Sequence, residues 1–213
     1  MFGERTQFAW YSGTWFEYVY LSGRRVLAGF AIAAAVGVTL GLLIGWSSLV
    51  RDLVDPTVQL LRPIPMTAWL PFATFLFGIQ DTAAVFLIAM GAFFPIVVNS
   101  AAGAERTPRV LIRAALMLGT KPNKLLYRVV LPSALPSIFT GLRLGMGIAW
   151  VLVIVSEMLA VRGGLGYALW SAYQFIRMDL IIASMISVGA LGFLFDLLLQ
   201  AIAHRLLRWS QGI

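Results

Sequence analysis

The stretches 26–50 and 82–104 contain no ionisable side chain, 137–160 contains only Arg143 and Glu157, and 180–203 only Asp196. A bilayer core of about 30 Å takes roughly 20 apolar residues of helix at about 1.5 Å per residue. Each stretch is therefore long enough to span. A fifth span is placed over about 58–79, where Pro63, Pro65 and Pro71 bend its first turns. Backbone freed by proline is tolerated at membrane depth only where protein or water covers it, so this segment belongs inside the bundle. The separators are Arg51–Pro56, Gly78–Asp81, a long piece over 104–136, and 161–179. The ten-residue alternation of a barrel is absent. The pattern predicts an all-α, polytopic membrane helix bundle with about five transmembrane helices and a single domain over 1–213.

Composition agrees: 60% of residues are hydrophobic and 12% charged, against roughly 25% charged in soluble domains. An ordinary soluble enzyme or a disordered chain is excluded, and with no cysteine so is a disulfide-stapled module. The net charge of +7 would point to nucleic acid in a soluble protein; in a membrane protein it is topological, and no nucleic-acid partner is expected. Arg106, Arg109, Arg113, Lys121, Lys124 and Arg128 face one acid, Glu105, in the long piece, and Arg205 and Arg208 lie in the tail. Basic loops stay cytoplasmic, so both regions are cytoplasmic and counting back puts the N-terminus outside. Arg24 and Arg25 then flank the first span on the wrong side: either the rest of the chain outvotes them, or an earlier span precedes. No secretory signal is expected, because the first apolar run is too long and lacks a cleavage site. Residues 1–25, with Trp10, Tyr11, Trp15, Tyr18 and Tyr20, read as an outer interfacial segment. Tyr167, Trp170 and Tyr173 mark the same interface.

The 104–136 piece is too polar to span. It reads as two short helices, the first over about 108–118 and stopped by Gly119, the second capped by Thr120 and opened by Lys121 and Pro122. Ala114 and Ala115 leave room for close approach, Leu118, Leu125, Leu126 and Tyr127 supply apolar knobs, and Pro132 and Pro136 break the chain before the next span. Such an elbow suits docking into a groove of a partner that could tilt the attached spans.

Ala114-Ala115, Gly119, Val129, Leu131 and Pro132 follow the pattern E-A-A-x3-G-x9-I-x-L-P, with Arg113 in place of its Glu and Val129 in place of its Ile. The chain thereby resembles permease subunits of importer-type ATP-binding cassette (ABC) transporters. The segments Ser22–Phe30, Arg62–Pro65 with Ala68–Pro71, Gly91–Pro95 with Asn99, Ala149-Trp150 with Ser156–Leu159, and Gly163–Gly166 are similar to the nitrate, sulfonate, taurine and bicarbonate branch. That branch usually has one more N-terminal span, so the chain resembles a shortened member. The resemblance implies a multi-pass protein of the cell inner membrane, a second permease subunit in a homodimer, ATPase subunits below, and an extracytoplasmic solute-binding protein above. ATP and Mg belong to the ATPase; this chain has no phosphate-binding G-x-x-x-x-G-K-[ST] loop, and no cofactor of its own is expected. The residues implied for coupling are Arg113, Ala114, Ala115, Gly119, Thr120, Lys121, Leu131 and Pro132. The transported class would be a small anion, with a pyrimidine-type precursor still open.

Asn99, Met146, Trp150 and Glu157 are candidates for the pathway or its gate. A Met or Trp on an apolar helix is as readily explained by packing, and Glu157 by a reach to the headgroups or a bond to the 161–166 turn. Arg143 reads first as snorkelling to the inner headgroups, and it is also the one basic candidate within the pathway that anion transport would call for. His204 and Asp196 share roughly one helix face but form no metal constellation, and His204 has no nucleophile to serve, so no catalytic or metal site is expected. Gly29, Ala33, Gly37, Gly41 and Gly45 recur every four residues and predict a close-packing face on the first span. The competing class is an ion-coupled secondary transporter or channel, which predicts paired buried charges near midplane and inverted repeats; the sequence offers few such charges and no visible repeat.

Overall fold

A computed structural model describes residues 14–207. Trp10 and Tyr11 of the expected interfacial segment, and Arg208 of the tail, lie outside the described residues. Among those described, every regular element is helical: α1 (Thr14–Trp46), α2 (Ser48–Leu61), a short 3-10 turn (Met66–Trp69), α3 (Leu70–Phe77), α4 (Asp81–Glu105), α5 (Arg109–Met117), α6 (Pro122–Leu125), a π turn (Leu126–Val130), α7 (Leu131–Leu159), α8 (Leu165–Gln174) and α9 (Met178–Leu206). Four helical runs are long and apolar enough to cross a membrane, and a fifth crossing is reached if α2 and the Met66–Phe77 segment count as one bent span.

The expected boundaries need five corrections. The 58–79 span is not one segment inside the bundle: its helix breaks between Leu61 and Met66, and Pro63, Pro65 and Pro71 are exposed. The first helix begins at Thr14 rather than 26, so residues 14–25, expected to lie along the interface, continue the helix of the span itself. Arg51–Pro56 is not a separator but the middle of α2, which carries Pro56 inside it. Both Pro56 and Asp52, whose carbonyl the proline leaves free, are exposed, so the missing hydrogen bond strands no buried group. Thr120 does not cap the next helix; Lys121 occupies that position, with no side-chain bond to the backbone. Pro132 and Pro136 do not break the chain, because α6, the π turn and α7 follow one another without interruption. Within the π turn the Leu131 N–H donates to Leu126 O, five residues back. That wider turn relaxes the backbone just before Pro132, whose ring would otherwise press on the preceding turn.

The chain forms two compact units, one built from Met1–Ala31, Met66–Gly91 and Ile148–Leu194, the other from Ile32–Pro65, Ala92–Gly147 and Phe195–Ile213. In the first, Ala73, Ala83 and Leu87 form one buried cluster and Ala84, Ala160 and Val161 another. In the second, Leu42, Ala104, Val130, Ala134 and Ile138 join α1, α4, the π turn and α7. Arg51 closes the C-terminal end of α1: its Nη2 donates to Gly45 O at 3.3 Å and pairs with Glu105 at 3.0 Å.

The small-residue face of α1 packs on α4 as its spacing predicts. In the first unit a Cβ on Gly29 would meet Ile88 at 2.6 Å. In the second, one on Gly41 would meet Val97 O at 2.5 Å and Ser100 Cβ at 2.6 Å, and one on Gly45 would meet Ala101 O at 2.5 Å. Backbone atoms cannot swing aside as side-chain tips do. Gly41→Leu should therefore lower stability by at least the ~1–3 kcal/mol of ordinary overpacking, read as a fall in the melting midpoint of the purified protein. Gly23, with nothing within 4 Å of its Cβ position, is the control; Gly23→Ala should leave the midpoint unchanged or raise it.

Candidate functional site: a helical elbow and a buried charge node

The elbow is built by α5 and the turn after it. The Gly119 N–H donates to Leu116 O and the Thr120 N–H to Ala115 O, both at 3.0 Å, with Gly119 at φ +81. This paired closure of a helix end requires a left-handed residue at the position Gly119 occupies. It gives a local reason for the spacing from Ala115 to Gly119: the alanine supplies the carbonyl that the turn after the glycine returns to. Arg113, Ala114 and Lys121 are exposed and Ala115, Thr120, Leu131 and Pro132 half-buried. Leu116, Met117 and Leu118 stand out at 44, 88 and 86% exposure, an apolar tip on a segment that also exposes Val110, Leu111 and Tyr127 among its basic residues. Of the expected knobs, Tyr127 is exposed, whereas Leu125 is buried and belongs to the core.

The second feature lies in the first unit. Glu157, on α7, is fully buried. Its carboxylate accepts from Ser22 Oγ at 2.8 Å, from Arg25 Nη1 at 2.7 Å and from the Gly166 N–H at 2.9 Å. Ser22 Oγ in turn accepts from the Leu165 N–H at 2.9 Å, and Arg25 Nη1 also donates to Gly163 O at 2.7 Å. The remaining guanidinium edge of Arg25, only 2% exposed, forks onto Asp81 Oδ1 through Nε at 3.0 Å and Nη2 at 2.7 Å. Arg24 pairs with the other Asp81 oxygen. Gly163 and Gly164, at φ +96 and +113, let the backbone wrap the carboxylate, and a Cβ on Gly164 would occupy the space of the Glu157 carboxyl group. Every buried side-chain oxygen and nitrogen of this node has at least one hydrogen-bond partner, the condition under which a buried charge is tolerated.

The pair Arg24 and Arg25, out of place by the charge rule, are thus ion-pair partners of Asp81 and Glu157. Ser22, Arg25 and Asp81 are members of the node that reading along the chain does not reveal. The available signal was two anomalies of opposite sign, an acid inside one span and basic residues beside another. The aromatic clusters also meet, with the rings of Tyr18 and Tyr167 6.5 Å apart.

Of the other pathway candidates, Met146 and Trp150 are buried, and a Cβ on Gly192 would sit 3.8 Å from the Trp150 ring. Asn99 is half-buried and donates to Pro95 O of its own helix at 2.8 Å. Arg143 does not reach for headgroups; it forms a bidentate pair with Asp196, at 2.8 Å and 2.7 Å. Among the described residues no group of three or more metal-ligating side chains comes together.

Residues 37–208 match the family described as binding-protein-dependent transport system inner membrane component. The chain belongs to that family. This permease is similar to a putative ABC transporter permease protein of Methanocaldococcus jannaschii, at 43% identity over 201 residues, covering 94% of this chain and 75% of the relative. It is similar at 35% over 196 residues to the taurine transport system permease protein of Escherichia coli, covering 92% and 71%. To the nitrate import permease protein of Synechocystis it is 38% identical over 178 residues, covering 84% and 65%. A solved structure of the MetNI methionine ABC transporter in an inward-facing conformation matches with a TM-score of 0.69 over 91% of this chain and 94% of that one, at 21% identity, and so shares the fold. The permease is accordingly an ABC importer subunit of the nitrate, taurine, sulfonate and bicarbonate branch, and a multi-pass membrane protein.

Proposed function

We propose that this permease forms the route for a small oxyanion or organosulfonate and is driven by a separate ATPase that grips the 104–136 elbow. The observation that carries the reading is the apolar tip Leu116–Leu118, held out by the closed turn at Gly119. A soluble-facing loop gains nothing from three exposed apolar side chains in a row, whereas a partner groove does. Ala114 and Ala115 let the groove approach closely, Arg113, Lys121 and Thr120 rim it, and Leu131 and Pro132 join the elbow to α7. Two copies of the permease enclose the route in the inner membrane, an extracytoplasmic binding protein delivers the solute, and ATP and Mg are held by the ATPase. The substrate class is supported by relatives whose names give taurine, nitrate, aliphatic sulfonates or bicarbonate as the cargo, each of which carries a compact anionic oxygen cluster.

The test is uptake of labelled nitrate, bicarbonate and taurine into vesicles holding the permease, its ATPase and its binding protein. Uptake of one of them should require ATP hydrolysis and survive ionophores that collapse ion gradients. Uptake that follows an imposed gradient without ATP would make the protein a secondary carrier instead.

A further inference from the structure

The Arg143–Asp196 pair is the one place among the described residues where two opposite charges meet between the mid-regions of long apolar helices. Arg143 stands midway along the Leu126–Leu159 run, and Asp196 lies well inside Met178–Leu206. Yet their side chains are 43% and 36% exposed. Lipid does not solvate such groups; charges at this depth face water or protein. Helix α9 is barely covered by the rest of this chain, with 6% of its apolar window buried, so the covering must come from outside it.

The surroundings identify what the face is built for. Beside the pair is a cavity of about 200 Å³ lined by, among others, Thr140, Arg143, Gln200 and His204. That is room for about six waters at roughly 30 Å³ each, and so for a compact ion. Asp196 is not part of the lining. It takes two guanidinium N–H groups through Nε and Nη2, leaving three of the five that arginine carries. The His204 ring donates through Nδ1 to Gln200 O at 2.9 Å, which fixes the ring in the wall of the cavity. The lining thus offers cationic and amide donors and no carboxylate, with the acid acting from behind to orient the arginine. That is a donor set for an oxyanion.

From this we infer that Arg143, held by Asp196, lines the aqueous route together with Gln200 and His204, and that its free N–H groups contact the oxyanion in passage. The inference rests on the import reading above and deepens it. It assigns the contact to a face that is open in one copy of the chain, whereas Met146, Trp150 and Glu157 are enclosed within it.

The chain contains no cysteine, so Gln200→Cys places a single thiol in the permease. In membranes carrying the assembled transporter it is treated with sulfonatoethyl methanethiosulfonate, itself a small sulfonate, or with the cationic trimethylammonioethyl analogue. Gln200→Cys should react at least tenfold faster than Leu198→Cys, an exposed apolar position on the same helix. Millimolar nitrate, bicarbonate or taurine should slow the anionic reagent at Gln200→Cys severalfold while chloride at equal ionic strength does not. Adding Arg143→Gln with Asp196→Asn should lower the ratio of anionic to cationic rates at least fivefold. Reaction as slow as at Leu198→Cys, protection by none of the three anions, or an unchanged rate ratio would each overturn the inference. The competition arm uses unaltered Arg143 and stands even if the double variant fails to fold. Labelling needs neither ATP nor transport, so its failure is separable from failure of the uptake test.

Discussion

Replacing Arg25 by alanine is expected to unfold most of the permease or lower its melting midpoint more than any other single change in the first unit. Arg25 is 2% exposed and stands between two acids, one of them the fully buried Glu157. Removing it leaves that carboxylate with the Ser22 hydroxyl and the Gly166 N–H but no countercharge. Stranding one partner of a buried pair costs about 3–5 kcal/mol, a large part of the ~5–15 kcal/mol that holds a typical domain together. The measurement is the melting curve of the detergent-solubilised protein followed by size-exclusion chromatography. The pair variant Arg25→Gln with Glu157→Gln separates charge from shape: it should recover more than half of the loss, because two neutral amides can still bond each other and the 163–166 backbone. A midpoint for Arg25→Ala within a degree or two of the unaltered protein would show that the node contributes little.

The second large effect is functional and leaves folding alone. Leu118→Asp, or Met117→Asp, should abolish co-purification of the ATPase while the melting midpoint of the permease stays put. Both side chains are almost wholly exposed, at 86 and 88%, so the lone chain loses no packing. In the proposed groove they become apolar anchors, and anchors of this kind carry about 2 kcal/mol or more, equivalent to over tenfold in affinity. A buried, unpaired carboxylate would add its desolvation cost. Retention of the ATPase at its usual stoichiometry by both variants would remove the elbow from the coupling role.

How far the fold could be read from the sequence depended on the range of the interactions concerned. The four long apolar stretches announced themselves because span length is a local property. Gly119 was equally legible, since the turn it closes involves only Ala115 to Thr120. Helix ends were not: α1 runs from Thr14 because nothing between there and Val26 breaks a helix, even though Glu17, Arg24 and Arg25 end the apolar pattern. The two prolines after the elbow misled for a related reason. Proline penalises a regular α turn, and the sequence does not display the π turn that relieves it. Least visible was the node around Glu157. Its partners Ser22 and Arg25 lie 135 and 132 residues away, and no periodicity links positions so far apart. The same holds for Arg143 and Asp196, separated by 53 residues.

The π turn at Leu126–Val130 also sets a phase. An α-helix advances about 100° per residue, and a π turn accommodates one residue more than the regular winding would hold. Excising a single residue there would let the chain wind regularly from Pro122 onward, but the side of the rod bearing Arg143 would swing by roughly that angle relative to the elbow. The guanidinium would then no longer meet Asp196, although no side chain at either position had been altered. One surplus residue thus acts as an alignment key between the part of the molecule that is gripped and the part that is charged.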